Sequence, residues 1–226
     1  MSVTTKNCKS FFFRCQSESV SANASPIGLK RYNVVMTGRT HDLAAITALG
    51  IVVWVGPQQT ITLGTALIAI LANQIGGILP DIDQPTAPLW KNLPVGKYVG
   101  KSVDTLLGGH RFISHSLIGL AVFGSLAYAV LNFLHPSMTH VNINLIWWAF
   151  MVGLVSHLIL DSFTKEGVPW LLPIRKKIGF PNKDLRITTG KRVENFVVFP
   201  AILVFDIWFC ISHYNFILVL LHQRII

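Results

Sequence analysis

The distribution of apolar residues along the chain predicts a bundle of membrane-spanning helices. Five apolar runs carry this signal, namely Leu43–Val55, Ile61–Leu79, Leu117–Leu134, Ile143–Leu160 and Phe196–Leu221. A spanning helix needs about 20 apolar residues, with a range near 17–25, and the second to fifth runs meet this length. The first run is short and spans only if Thr40, His41 and Asp42 begin its helix at the interface. The pattern therefore predicts an all-α, polytopic membrane protein with about five transmembrane helices.

The positions of lysine and arginine predict the orientation of these helices. Six of the 19 basic residues precede the first run, four lie between the second and third, and eight lie between the fourth and fifth. The loops at 56–60 and 135–142 contain none. An excess of basic residues marks cytoplasmic loops, so we expect the N-terminus in the cytosol and the C-terminus outside. The two large loops, 80–114 and 162–195, are then cytosolic, and the first is expected to be a loop punctuated by Pro and Gly.

The amino-acid composition supports a membrane protein and does not indicate a nucleic-acid-binding protein. Hydrophobic residues make up 51% of the chain and charged residues 13%, with a mean hydropathy of +0.53, whereas soluble domains contain about 25% charged residues. The net charge of +9 is explained by topology and by attraction to anionic headgroups. We therefore expect membrane lipids as partners and no nucleic acid. The three cysteines have no metal-binding or disulfide spacing.

The N-terminal region differs from the rest of the chain. Residues 1–35 contain the Ser/Ala/Asn-rich stretch "SESVSANASPIG" and no apolar core of a secretory signal. Composition fits an organelle-targeting sequence, a disordered arm or a spurious extension upstream of Met36, and we favour the last. In each case we expect disorder over 1–35, followed by one helical membrane-embedded domain over 36–226.

Ionisable residues gather at helix ends that the topology places on the cytosolic side. Such groups at membrane depth are costly and are candidates for function. They are His41, Asp81, Asp83, His110, Arg111, His115, His157 and Asp161. His157 and Asp161 are four residues apart and project from one helix face. Asp81 and Asp83 are expected on the same side of an extended segment, where they can bracket one or two cations.

The residue types in these clusters suit a metal site. Up to four imidazoles and three carboxylates converge, and imidazole with carboxylate suits Zn, Mn or Fe, while carboxylate-rich sites also admit Mn or Mg. Each residue alone has an ordinary interpretation as a helix cap, a solvated helix end or a headgroup contact. Their convergence on one membrane face favours a shared site. We expect a divalent metal, Zn or Mn first, with room for more than one ion.

Four motifs in order resemble a known family. They are Thr40-His41, "LPDIDQP" at 79–85, "GHRFISHS" at 109–116 and "SHLILDSFTKEGVPWLLP" at 156–173. They are similar to the motifs of the YdjM-like family of LexA-regulated, inner-membrane-associated, predicted metal-dependent hydrolases, over roughly residues 36–195. Ser114 stands where the family pattern has Thr, and Gln84 where many members have His. The order of His and Asp residues also resembles, more weakly, the helical zinc phospholipase C and P1 nuclease group, which implies phosphoester substrates.

The resemblance implies a hydrolase of the inner (plasma) membrane with its site facing the cytoplasm. The metal ligands would be His41, Asp81, Asp83, His110, His115, His157 and Asp161. Arg111 would hold an anionic oxygen of a small-molecule or lipid substrate through two N–H donors, and a carboxylate such as Asp83 would act as general base. Glu194 is expected to close over the site. The alternatives are a membrane transporter of metal ions and a non-catalytic membrane protein.

Overall fold

The computed structural model describes residues 38–57, 61–84, 87, 90, 93–106, 112–174, 176–182, 184–187 and 193–222. Residues 1–37 lie outside this range, so the predicted boundary at residue 35 stays a prediction. The helices in the described part of the chain are α1 (Gly38–Val55), α2 (Leu63–Ile78), α3 (Gly96–Leu106), α4 (Leu117–Leu134), α5 (Ile143–Ser162), α6 (Phe199–Ser212) and α7 (Tyr214–His222). Short 3₁₀ turns follow α2 at Leu79–Asp83 and α4 at His135–Ser137, and a π-helical turn, Glu194–Val198, leads into α6.

The all-α prediction is confirmed, and the helices are consistent with about five spans. Four segments have the length and composition to cross a bilayer, namely Leu63–Asp83, Leu117–Ser137, Ile143–Ser162 and Glu194–Ser212. Helix α1 begins at Gly38 and so includes the polar residues that the first span required. Its 18 residues extend about 27 Å, close to the ~30 Å hydrocarbon core of a bilayer.

Helix α5 is the centre of the bundle. It packs most extensively against α2 and also contacts α1 and α4, while α6 packs on α1. Apolar residues lie on all sides of α5, as expected for a membrane span, because some face neighbouring helices and others, such as Trp148, are exposed. Asn142 caps its N-terminus by accepting hydrogen bonds from the backbone N–H groups of Asn144 and Leu145 at 3.1 and 3.2 Å. The central position of α5 puts the residues of its last turns in contact with three neighbouring helices.

Glycines allow α2 and α5 to approach closely. A Cβ atom on Gly76 would lie 2.2 Å from the carbonyl oxygen of Phe150, and one on Gly153 would lie 2.0 Å from that of Asn73. Neither distance is possible for a real side chain, so the two backbones meet only because these residues are glycine. Small residues are the usual means of close helix packing in membranes. The Asn73 amide adds a buried hydrogen bond to the carbonyl oxygen of Ala149, at 3.1 Å.

The first large loop contains a helix that was not predicted from the sequence. We expected a loop over 80–114, but α3 occupies Gly96–Leu106. Its side chains Tyr98 and Leu106 are apolar and exposed, at 78% and 80%, and Lys97 and Lys101 are exposed beside them. Exposed apolar and basic side chains on one short helix are typical of an interfacial helix.

The second loop is folded against the ends of α4 and α5. The indole N–H of Trp170 donates to the hydroxyl of Ser162, and the backbone N–H of Leu117 donates to the carbonyl oxygen of Trp170, at 2.9 and 3.1 Å. Backbone bridges pair Val168 with Ile178 and Thr164 with Ile187. These contacts close the end of the bundle at which the predicted site lies.

Candidate metal centre

Four helix ends meet at one end of the bundle and bring together five of the predicted ligands. His41 lies in the first turn of α1, Asp81 in the 3₁₀ turn after α2, His115 just before α4, and His157 and Asp161 in the last turns of α5. We call these five residues the His/Asp cluster. All are buried except Asp81, whose side chain is 29% exposed. The cluster is therefore shielded from solvent and open at Asp81.

The distances within the cluster are those of groups that can share a cation. Asp161 Oδ2 lies 3.3 Å from His115 Nε2 and 3.8 Å from His157 Nε2, and Asp161 Oδ1 lies 3.6 Å from His41 Nε2. Asp81 Oδ1 lies 3.9 and 3.7 Å from the Nε2 atoms of His115 and His157. Two atoms bonded to one ion at about 2.1 Å can be at most ~4.2 Å apart. Every one of these pairs meets that limit.

The tautomer of His157 supports a ligand role. Its Nδ1 lies 2.6 Å from the carbonyl oxygen of Gly77, and a carbonyl only accepts, so Nδ1 carries the proton and donates. In the neutral ring Nε2 then has a free lone pair, directed at the carboxylates of Asp81 and Asp161. A lone pair facing carboxylate oxygens is repulsive unless a cation lies between them. Histidine ligands usually donate their second ring N–H to a carbonyl or carboxylate in this way.

Ser114 positions His115 in a similar manner. Its hydroxyl donates to Oδ2 of Asp83 and lies 2.9 Å from Nδ1 of His115. Because the hydroxyl proton goes to Asp83, its oxygen accepts from Nδ1–H of His115. The Nε2 atom of His115 is thereby directed into the cluster, toward Asp161. All three residues of this Asp83–Ser114–His115 chain are fully buried.

The carboxylates around His115 change its affinity for a proton. His115 precedes the membrane-spanning part of α4. Burial lowers the pKa of its imidazole, but the nearby carboxylates of Asp161 and Asp83 outweigh burial and raise the pKa to about 9. A proton on His115 thus offsets part of the negative charge of the cluster. A metal ion would take the place of that proton, because both bind the same lone pair.

His41 completes the cluster by stacking on His157. Their ring centroids are 4.0 Å apart and their planes differ by 18°. Two sets of three residues can each hold an ion by proximity, and they share His157. They are His41, His157 and Asp161, and Asp81, His115 and His157. The buried imidazole and carboxylate donors fit a divalent ion such as Zn or Mn, and two overlapping sets leave room for a second ion.

A comparison with known proteins identifies the family. A family model described as YdjM inner membrane protein matches residues 36–221, a range that contains the whole cluster. The chain belongs to the YdjM inner membrane protein family. The resemblance drawn from the four motifs is therefore confirmed.

Two similar proteins illustrate the level of similarity. Inner membrane protein YdjM of Escherichia coli (strain K12) is 33% identical over 131 residues, which cover 58% of this chain and 61% of that protein. Uncharacterized protein YvsG of Bacillus subtilis (strain 168) is 26% identical over 163 residues, covering 72% of this chain and 88% of that one. The aligned part thus spans about three fifths of the E. coli relative. No solved structure matches the chain. The family and the apolar helices are consistent with a multi-pass inner membrane protein.

Not all of the predicted site residues lie in the His/Asp cluster. His110 and Arg111 lie outside the described residues, so their roles as ligand and anion contact stay predictions. The extended segment expected for Asp81 and Asp83 is wrong, because residues 79–83 form a 3₁₀ turn. With three residues per turn, side chains two positions apart point about 120° away from each other. Asp81 consequently faces the Nε2 side of His115 and Asp83 the Nδ1 side.

Two contacts that support the centre were not expected from the sequence. Thr40 donates a hydrogen bond to Oε1 of Glu194 at 2.9 Å, and both side chains are buried. This contact fixes the turn that carries His41 to the start of the α6 segment. Glu194 therefore anchors the site from the side. Trp90 supports the opposite edge by donating from its indole N–H to the carbonyl oxygen of Ile82, at 2.9 Å. Neither contact could be predicted from the sequence, because Thr40 and Glu194 are 154 residues apart and Trp90 bonds to a backbone oxygen, which no side-chain pattern marks.

Proposed function

We propose that this chain is a membrane-bound, metal-dependent hydrolase that acts on phosphoester substrates at the cytosolic face of the membrane. The observation that carries the proposal is the buried convergence of three imidazoles and two carboxylates from four helix ends. Burial of such groups is unfavourable without a compensating cation. The basic loops adjoin this end of the bundle, and the positive-inside pattern supports a cytosolic orientation.

A divalent ion would supply the chemistry that hydrolysis needs. When bound, it lowers the pKa of a coordinated water from 15.7 to about 7 and polarises a phosphoryl oxygen. In the net reaction the water oxygen bonds to phosphorus, the ester P–O bond breaks, and the departing oxygen takes up a proton. His41, His115, His157 and Asp161 would hold the ion in the buried part of the cluster.

Asp81 and Asp83 fit different roles in this reaction. Asp81 is the partly exposed carboxylate of the cluster, so it can reach both the ion and a water at the entrance, as a general base must. Asp83 is fully buried and bonded to Ser114, which favours a positioning role over the catalytic role expected from the sequence. Arg111 retains its predicted role as the group that binds the substrate's anionic oxygen.

The experiment that tests the proposal combines metal analysis with a substrate screen on detergent-purified protein. We expect one or two equivalents of Zn or Mn, and metal-dependent release of phosphate or alcohol from a panel of soluble and lipid phosphoesters. His157→Ala and Asp161→Asn should lose both metal and turnover. His140→Ala is the matched control, since His140 is an exposed histidine outside the cluster, and it should retain both.

The transport alternative makes a different prediction for the same experiment. Transport sites usually lie near the bilayer midplane, whereas this cluster lies at helix ends. Stoichiometric metal with no turnover of any phosphoester, together with metal uptake into proteoliposomes, would overturn the hydrolase proposal in favour of transport. Retention of metal by both His157→Ala and Asp161→Asn would overturn the shared site itself.

A further inference from the structure

An apolar groove runs along the bundle from the His/Asp cluster. It has a volume of about 600 Å³, within the 300–1,000 Å³ typical of ligand pockets. Residues of α1 and α5 make up most of its lining, and Leu120 of α4 and Ile202 of α6 complete it. Several lining side chains are exposed on the bundle surface, among them Ile51, Trp148 and Ile159. The groove is therefore open to the lipid that surrounds the bundle.

The polar groups in the groove are already bonded within the protein. The hydroxyl of Ser156 donates to the carbonyl oxygen of Gly153 at 2.8 Å. The hydroxyl of Thr47 lies 2.9 Å from the carbonyl oxygen of Leu43 and 2.7 Å from Oδ1 of Asp206. The remaining lining residues are Ala, Val, Ile, Leu, Met and Trp. An occupant that fits this lining is a hydrocarbon chain.

The groove ends beside the metal ligands. Ala44 lies one helical turn from His41, and Ser156 and Leu160 are the neighbours in sequence of His157 and Asp161. From Leu160 the groove extends to Trp148, 12 residues away, which corresponds to about 18 Å along the helix. One leaflet contributes about half of the ~30 Å hydrocarbon core. The groove is thus about one leaflet deep and has the cluster at its interfacial end.

We propose that the groove holds one hydrocarbon chain of a phospholipid from the cytosolic leaflet, with the lipid headgroup at the His/Asp cluster. The position of the groove in the bilayer and its continuity with the cluster favour a membrane phospholipid over a soluble substrate. The statement that the headgroup is the substrate rests on the proposed function, because it makes a lipid phosphoester the molecule that is hydrolysed. Binding of the hydrocarbon chain in the groove is a separate claim, because it can be tested without any reaction.

A second cavity provides a matched control. It has a volume of about 290 Å³ and lies among α1, α2, α5, α6 and α7, with Ala69 and Asp206 in its lining. Its lining contains none of the cluster residues or their neighbours in sequence. A large side chain at Ala69 fills this cavity, whereas one at Ala48 fills the groove beside the cluster.

Binding of the hydrocarbon chain in the groove is tested by photocrosslinking. The protein is reconstituted in nanodiscs with a phosphatidic acid that carries a diazirine midway along one acyl chain, and adducts are mapped by mass spectrometry. We expect adducts enriched at least fivefold on groove residues such as Ile51 and Val152 relative to outward-facing residues such as Phe133. Ala48→Phe and Val155→Trp should each remove the enrichment, and Ala69→Phe should leave it. Thermal melts and gel filtration check that each variant is folded.

Two outcomes overturn the inference. Adducts spread evenly over groove and outward-facing residues would show ordinary surrounding lipid, as would enrichment that survives both groove substitutions in folded protein. Asp161→Asn, which should lose metal, should keep the adducts. Adducts in the groove with no hydrolysis would contradict the proposed function alone. Hydrolysis of a soluble phosphoester with no groove adducts would contradict the lipid inference alone.

Discussion

Removal of the Ser114 hydroxyl tests whether the metal centre depends on the chain of contacts behind His115. The hydroxyl bonds to both Asp83 and His115 in a fully buried position. Without it, Nδ1 of His115 and Oδ2 of Asp83 are 3.6 Å apart, which is too long for a hydrogen bond. Ser114→Ala therefore leaves the imidazole less well oriented toward the metal.

The expected effect follows from the cost of losing such a partner. Removing a group that orients a histidine ligand typically lowers metal affinity about 10- to 100-fold, which corresponds to about 1.4–2.7 kcal/mol. The estimate agrees with the ~1.5–3 kcal/mol of a hydrogen bond to a charged group. Ser114→Thr is the matched variant, because it keeps the hydroxyl. We expect it to bind metal within about threefold of the unmodified protein, on the same grounds.

The assay is a titration of metal-stripped protein with Zn or Mn in competition with a chromogenic chelator, in detergent at fixed pH. Asp161→Asn serves as the variant that loses the site. Equal metal affinity in Ser114→Ala and the unmodified protein would refute the positioning argument. A Ser114→Thr variant as weak as Ser114→Ala would refute it too, since the loss would then follow packing and not the hydroxyl.

Three further predictions concern the frame of the site and its protonation. Gly153→Val should force α2 and α5 apart, with a loss of about 1–3 kcal/mol in stability and of metal binding. Gly64→Val is the control, because an added Cβ atom there meets nothing within 4 Å, and it should leave the metal bound. Thermal melts and metal analysis measure both effects. Glu194→Ala should lower the melting temperature and weaken metal binding, because it removes the hydrogen-bond acceptor for Thr40. Glu194→Gln keeps an acceptor oxygen and should retain metal binding. An equal loss of metal binding in both variants would contradict this. Metal uptake near neutral pH should release a proton, because the pKa of His115 is raised to about 9 and the metal displaces that proton. The apparent metal affinity should therefore rise with pH up to about 9, and calorimetry in buffers of different ionisation enthalpy would detect the released proton. A pH-independent affinity would contradict this.

The helices could be predicted because a bilayer imposes a strict requirement on length and polarity. Stretches near 20 apolar residues have few other uses, so four spans followed from hydropathy. Helix α1 was harder, since Thr40, His41 and Asp42 interrupt the apolar pattern at its start. The structure shows why they are tolerated: Thr40 and His41 are buried against other helices, away from lipid. The short helix α3 was missed because it is amphipathic and its average hydrophobicity is low, so a search for long apolar runs passes over it.

The members of the site were easier to predict than their roles. Counting charges and spans places His41, Asp81, His115 and the α5 pair at one end, because antiparallel helices return there. The side of His115 on which Asp83 lies depends instead on the 3₁₀ turn and on the Ser114 hydroxyl. Neither is visible in the spacing of the acidic residues. The close contact at Gly153 was also hidden, since a glycine in a helix does not reveal which helix will approach it.

The arrangement of charge explains why these groups lie at the end of the bundle. Asp161 and Asp83 are fully buried, and two buried carboxylates in an apolar medium need positive charge nearby. In its neutral form His157 supplies no positive charge, because its one ring proton lies on Nδ1 and is donated to Gly77. His115 can accept one proton, which is less positive charge than a divalent ion provides. A cation is therefore favoured at this point, where helix ends give it access from water through Asp81 and from the membrane along the groove. On the proposed function, such a site would join a metal ion to a substrate from the bilayer.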